Sequence, residues 1–368
     1  MWLIIFGLTF LFAICGIIYL FTRFQRFYFV HRIAGDRKAI QRLLAFIPIA
    51  VLGCWFYFDS MDAIVAVLSL MFVWLIGDLI GWIIKKTGKR TDDENQPRPY
   101  YTGVIVIAFT FIYLCTGWYL AHHVFRTVYD LKTDKDILKD PLKVVFFADS
   151  HIGTTFDGEG FAKHMETIRA EEPDVVLIAG DYVDDDTVKE DMVRSCLALG
   201  DIPTSCGVYY VFGNHDKGYS NHRDFTYDDL KDELQKNGVT VLEDEAVLLN
   251  DSFYVIGRKD ASDTDRKNAE EMVEGLESDK YMIMIDHQPN DYEEEARSGV
   301  DLVLSGHTHG GQMLPVTKVG EWFGINDSTY GYEKRNNTEF IVTSGISDWA
   351  MRFKTGTKSE YVVINIFQ

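Results

Sequence analysis

The sequence predicts two unlike parts: an all-α membrane domain of four spanning helices, then an α/β domain whose strands end in acids, amides and imidazoles. Three observations predict this. Apolar runs long enough to cross a bilayer fill residues 1–126 and then stop. Beyond Pro141 the apolar runs shrink to three to five residues bounded by turn formers, the pattern of buried strands. The charge divides at the same place: residues 1–140 hold 15 Lys and Arg against 11 Asp and Glu, whereas residues 141–368 hold 21 against 44, a net of −23. The expected organisation is a membrane domain over 1–126, a polar linker over 127–141 and an α/β domain over 142–368.

Met1 to Phe21 is 21 residues without a charge, enough for a hydrocarbon core about 30 Å thick. No basic residue precedes it and no small-x-small site follows, so it is expected to be an uncleaved anchor and not a signal peptide. The second run, Leu43–Phe58, has only 16 residues, though Ile40 can extend it. The third runs from Met61 to Ile84 and the fourth from Tyr101 to about Leu120. The first loop carries Arg23, Arg26, Arg32, Arg37, Lys38 and Arg42, and the third Lys85, Lys86, Lys89, Arg90 and Arg98. The loop between spans two and three has only Asp59 and Asp62 as charges. Cationic loops stay in the cytoplasm, so the amino terminus and the acidic domain are both expected outside, at the plasma membrane. Asp78 falls inside the third span, where a carboxylate costs roughly 2.5–3.5 kcal/mol, so a partner or a cavity is expected beside it.

Composition excludes some classes. Five cysteines are too few for a disulfide scaffold, and a Cys196–Cys206 pair is left open. A net charge of −23 repels polyanions, so no nucleic-acid duplex is expected as a partner.

The α/β part is informative at its strand ends. Val144–Ala148 leads to Asp149 and His151, and Val175–Ala179 to Asp181 and Asp184. Val208–Phe212 leads to Asn214, His215 and Asp216, Met282–Ile285 to His287, and Leu302–Leu304 to His307 and His309. Further strands are expected at Phe340–Val342 and Tyr361–Ile364, and helices at Phe161–Glu172 and Val188–Leu199. In open α/β sheets ligands bind beyond the carboxyl ends of the strands, so five such ends can converge on one site. Imidazoles, carboxylates and an amide carbonyl without a thiol suit a hard or borderline divalent cation such as Mn, Fe, Zn or Mg. Seven such donors exceed the needs of one tetrahedral ion but suit two ions sharing a carboxylate. Two ions about 3.5–4 Å apart clamp the oxygens of a phosphoryl transfer and turn a bridging water into a hydroxide nucleophile near neutral pH.

DSH, GDYVD, GNHD, the isolated His287 and GHTHGG, in that order, resemble the calcineurin-like metallophosphoesterase superfamily over about residues 142–368, in its membrane-anchored branch. The resemblance implies a four-layer α/β/β/α sandwich and two divalent cations, Mn foremost. It implies Asp149, His151 and His309 as ligands of one ion, Asn214, His287 and His307 as ligands of the other, and Asp181 as the bridge. It also implies that His215 contacts the phosphate and protonates the leaving group, with Asp184 hydrogen-bonded to it. Bacterial relatives in that branch include UDP-2,3-diacylglucosamine hydrolases. The expected activity is therefore hydrolysis of a phosphoester or pyrophosphate in a lipid-linked or membrane-proximal substrate, with the bilayer as partner. The alternatives are a tethered nucleotidase or phosphodiesterase on soluble substrates, and a metal-dependent sensor of a phosphorylated ligand without turnover. The segment with Trp349, Met351, Arg352, Phe353, Lys354 and Lys358 either lies at headgroup level or forms a solvated hairpin between the last two strands.

Overall fold

A computed structural model describes residues 2–87, 100–219 and 222–368. The chain forms two compact units, Met1–Thr116 and Gly117–Gln368.

In the first unit, α1 (Trp2–Phe24), a short α2 (Tyr28–Ala34), α3 (Lys38–Phe58), α4 (Ser60–Thr87) and the start of α5 (Tyr101–His122) follow in order. Four of them, α1, α3, α4 and α5, are long and apolar enough to cross a membrane, matching the four expected spans. The second is 21 residues long and not 16, because the polar Lys38–Arg42 turn joins the same helix. Leu20, Phe24, Ala45, Ile49, Val67 and Trp74 bury one another, while most other large apolar side chains on these helices face outward, as lipid-facing surfaces do. The partner expected for Asp78 is Arg23, whose Nη2 lies 2.6 Å from its carboxylate. The Tyr19 hydroxyl donates to Asp78 at 2.8 Å, and the Trp74 indole donates at 2.8 Å to Tyr100, whose own hydroxyl reaches Asp78 at 3.4 Å. Asp78 thus ties α4 to α1. The third-loop cations Lys89, Arg90 and Arg98 lie outside the described residues.

The second unit starts inside α5 and contains β1 (Phe125–Lys132), β2 (Leu142–Phe147), α6 (Gly158–Arg169), β3 (Val175–Ala179), α7 (Lys189–Gly200), β4 (Val208–Val211), α8 (Tyr227–Lys236) and β5 (Val239–Val241). It continues with β6 (Glu245–Leu249), β7 (Phe253–Gly257), α9 (Ala269–Val273), β8 (Tyr281–Ile285), α10 (Tyr292–Ser298), β9 (Leu302–Ser305), α11 (Val319–Trp322), β10 (Gly331–Arg335), β11 (Thr338–Val342) and β12 (Glu360–Phe367). One six-stranded sheet has the order β1-β12-β2-β3-β4-β5, the other β10-β11-β9-β8-β7-β6.

Strand periodicity explains how the layers stack. Val144 and Phe146 of β2 pack with Val255, Ile283, Ile285 and Leu304 of the facing sheet. Their neighbours Val145 and Phe147 point the other way, onto Phe161, Met165 and Ile168 of α6 and Leu199 of α7. On the second sheet Met282, Met284 and Phe340 turn outward to Ala269 and Met272 of α9 and Tyr292 of α10. Alternation of apolar residues on both faces therefore yields the expected α/β/β/α sandwich.

The segment expected as a linker, 127–141, carries most of β1, which pairs in parallel with β12 from Phe125↔Glu360 to Lys132↔Phe367. Its sequence FRTVYDLK alternates half-buried and exposed residues along an edge strand, so its polar side chains mask its place in the sheet. No hairpin joins the last two strands: β11 and β12 belong to different sheets, and residues 343–359 cross from one to the other. That crossover is held by Thr343 N donating to Ser305 O (2.9 Å), Ile346 N to Ala148 O (2.9 Å) and Ser347 N to Asp149 O (3.2 Å). On its other side, Lys354 N donates to Gly117 O at 3.0 Å and Ser359 N to Leu120 O at 2.9 Å, both on the last turns of α5. Cys196 and Cys206 are buried free thiols and form no pair.

Candidate metal centre

β2, β3 and β4 run parallel in one sheet, and β8 and β9 in the other. Parallel pairing puts their carboxyl ends side by side, and the interleaved faces bring the two sets of ends together. The junction is direct. His287 Nδ1 lies 2.6 Å from Ala179 O, and His307 N donates to both carboxylate oxygens of Asp149 at 2.9 and 3.0 Å.

All nine candidate residues gather there. Asp149, His151 and His309 form one cluster of potential ligand atoms, and Asp181, His287 and His307 another. Within the first, His151 Nε2 and His309 Nε2 face each other at 3.2 Å. Within the second, Asp181 Oδ2 is 3.1 Å from His287 Nε2, and it also reaches to 3.7 Å from His151 Nε2. Asp181 thus reaches an imidazole of each cluster. Asn214 Oδ1 lies 3.2 Å from His287 Nε2, while its Nδ2 donates to the Tyr219 hydroxyl at 2.8 Å, so the amide oxygen faces the ligands. A third cluster joins His151, Asp184 and His215. Asp184 uses one oxygen for His215 Nδ1 (3.1 Å) and the other for His151 Nδ1 (3.2 Å).

The turns that deliver these groups are strained. Asp149, His151, Asp181, His307 and His309 all have positive φ, between 34° and 70°. Side chains rarely adopt such backbone, and where they do the surrounding fold must enforce it. Space is equally restricted: a Cβ on Gly213 would lie 2.2 Å from Asp181 Oδ1, and one on Gly306 would lie 2.8 Å from Asp149 Oδ2.

Electrostatics fit a cation site. Burial pushes the Asp149 carboxyl up to about 6, against the pull of His287 and His151. Burial lowers His307 to about 4 and holds His309 well below the usual histidine range, with His151 adding to the effect. Burial also disfavours a charged His287, but Asp181 beside it outweighs this and raises it well above the ordinary value. Burial would raise Asp184, yet its contacts with His151 and His215 hold it well below the carboxylate range. Acids and imidazoles this deeply buried and this close need a positive charge among them, supplied by protons or by metal ions. Paired Nε2 tips, two buried carboxylates, an amide oxygen and no thiol fit two divalent cations.

Three contributors were not legible as such in the sequence. Asp216, fully buried, accepts from the backbone N–H groups of Asp181 (2.9 Å), Tyr182 (2.8 Å), Val183 (3.2 Å) and Gly213 (2.7 Å), so it anchors the turns and is no ligand. Trp349, on the crossover, places its ring centroid 5.2 Å from that of His215. Lys354, expected either at headgroup level or in a solvated hairpin, is instead fully buried: it lies 2.9 Å from Asp348 and donates to Ser344 O and Ser347 O, fixing the crossover from inside. Phe353 is likewise buried. Only long-range packing turns these two inward.

The family model described as calcineurin-like phosphoesterase matches residues 142–311. An uncharacterized metallophosphoesterase of Campylobacter jejuni is 27% identical over 81% of this chain and 78% of its own. One of Aquifex aeolicus is 32% identical over 50% of this chain and 70% of its own. A transmembrane protein with a metallophosphoesterase domain from Bos taurus is 26% identical over 60% of this chain and 51% of its own.

Proposed function

This chain belongs to the calcineurin-like phosphoesterase family, a membrane protein carrying a metal-dependent phosphoester hydrolase domain, and we propose that its substrate is lipid-linked or membrane-proximal. The bond cleaved is a phosphoester or a pyrophosphate. Asp149, His151 and His309 would hold one divalent cation and Asn214, His287 and His307 a second, with Asp181 placed to serve both. Mn is the first choice, with Zn, Fe and Mg fitting the same donors. When bound, such ions neutralise phosphoryl charge and activate water as the nucleophile.

The chain's own groups supply the rest. His215 Nδ1 is engaged by Asp184, which leaves Nε2 to carry a proton toward the phosphate and deliver it to the leaving oxygen. His215 N donates to Asp181 Oδ1 at 2.8 Å, so the proton donor and the shared ligand move as one piece. Trp349 and Tyr219, with ring centroids 5.2 and 5.1 Å from that of His215, hold the imidazole between them.

The observation that carries the lipid assignment is the crossover 343–359. It sets Trp349 on His215 at one end and hydrogen-bonds to Gly117 and Leu120 of the apolar helix α5 at the other. On this reading a phosphate at headgroup height would reach the proton donor. Full-length protein in vesicles with Mn is expected to hydrolyse phosphoesters of bilayer lipids faster than soluble phosphomonoesters and diesters. Faster turnover of soluble nucleotides would overturn the lipid assignment and favour a tethered nucleotidase.

A further inference from the structure

The loop that follows the last metal-binding motif carries large apolar side chains that lie exposed. Trp322 is 72% and Phe323 77% exposed, and Leu314, Val316 and Ile325 are about half exposed. They sit on one stretch folded back on itself, with Val319 N donating to Val316 O at 3.1 Å and Ile325 N to Gly320 O at 2.9 Å. Exposed apolar residues scattered singly are ordinary, whereas five within twelve positions of so acidic a domain mark a contact surface. We propose that this loop, Leu314–Ile325, is a membrane-inserted rim, seated in the boundary between headgroups and acyl chains beside the end of α5.

Two observations choose the bilayer as occupant. The first is continuity with a membrane span. Thr355 N and Gly356 N donate to Gln312 O at 2.8 and 2.9 Å, Leu314 N donates to Thr355 Oγ1 at 3.0 Å, and Lys354 N next to them donates to Gly117 O of α5 at 3.0 Å. The loop is therefore hydrogen-bonded, through a single strip of crossover, to the point where the fourth apolar helix ends. That end itself shows Trp118 and Tyr119, each 52% exposed, the residue types that collect where a span meets water. The second is charge. Residues 312–325 contain only Lys318 and Glu321 as charges, and these lie 3.1 Å apart. The strip 349–358 beside them holds Arg352 and Lys358 partly exposed and no acid, in a domain of net −23, while Lys354 is turned inward to Asp348. The face is thus spared the carboxylates that an anionic leaflet would repel. A short, mostly apolar stretch bearing Trp and Phe with paired charges suits shallow insertion.

The same loop begins at the metal centre. His309–Gly311 forms a 3-10 turn leading into Gln312, whose side chain donates to Trp349 O at 3.2 Å and Met351 O at 3.4 Å. A rim seated in the bilayer would share this wall with His215.

The inference concerns where the domain touches lipid and stands whether or not lipids are its substrate. Full-length protein is reconstituted in phosphatidylcholine nanodiscs with ordinary or acyl-brominated lipid, as wild type and as Trp322→Phe. The difference in emission between the two reports Trp322. It is expected to be blue-shifted and to lose most of its intensity on brominated lipid. Phe323→Trp in the Trp322→Phe background should regain a quenchable signal. Red-shifted, unquenched emission would place the rim in water. Blue-shifted but unquenched emission would mean that protein, a second copy included, covers it. Either result overturns the proposal, and neither depends on turnover.

Discussion

Asp149, His151, Asp181, His307 and His309 are five of the twelve non-glycine residues with positive φ among the described residues. Each such conformation costs about 1–3 kcal/mol, so their concentration at one site shows what the fold spends its packing on. Asp216 is the restraint on one side, accepting four backbone N–H groups from the two turns that carry Asp181 and Asn214. The residue expected to separate turnover from metal binding is His215, which contacts Asp184 and Trp349 and is absent from both clusters that centre on Asp149 and on Asp181 with His287. Replacing His215 by Ala is expected to lower the hydrolytic rate by about 10²–10⁴-fold, the usual worth of a positioned proton donor, and to leave metal content near wild type. Steady-state rates with elemental analysis of the same preparation check this, and an unimpaired rate would remove His215 from its role.

At the scale of elements, the membrane spans and most central strands were legible because their chemistry is one-dimensional. A run such as Val175–Ala179 is buried on both faces, so hydropathy alone finds it, and the residues just after it are the site. β1 and β10 were not legible, because edge strands such as GYEKR carry polar side chains and their pairing is decided by a partner far along the chain. β5 is three residues long, too short for any period to register. The inward turn of Lys354 and the seating of Trp349 on His215 depend on a crossover between two sheets, which no local pattern encodes. The loops also carry a prediction of their own. The cations of the first loop and Lys85 and Lys86 in the last turn of α4 sit at alternate connections between spans, whereas the turn from α3 to α4 has Asp59 and Asp62. By that asymmetry the hydrolase domain is expected to face outward. Protease added to intact cells is expected to digest it, and protection until the cells are lysed would put it in the cytoplasm.

The whole molecule joins an ion-paired helical unit to an acidic sandwich whose two sheets meet at their carboxyl ends. The sandwich positions nine groups from five strand ends, and its buried acids and imidazoles require positive charge between them. Protons and metal ions compete for that place. Without ions, Asp181 raises the proton affinity of His287; a bound cation expels that proton, so lowering the pH favours the protonated, metal-free form. Occupancy should therefore be full near neutral pH and decline on acidification. The most direct test is the metal content of full-length protein, purified without chelator and supplied with Mn or Zn at neutral pH. About two ions per folded chain, lost together as the pH falls, are expected from Asp181 touching both clusters. A folded chain that holds no ion at any pH would contradict the account.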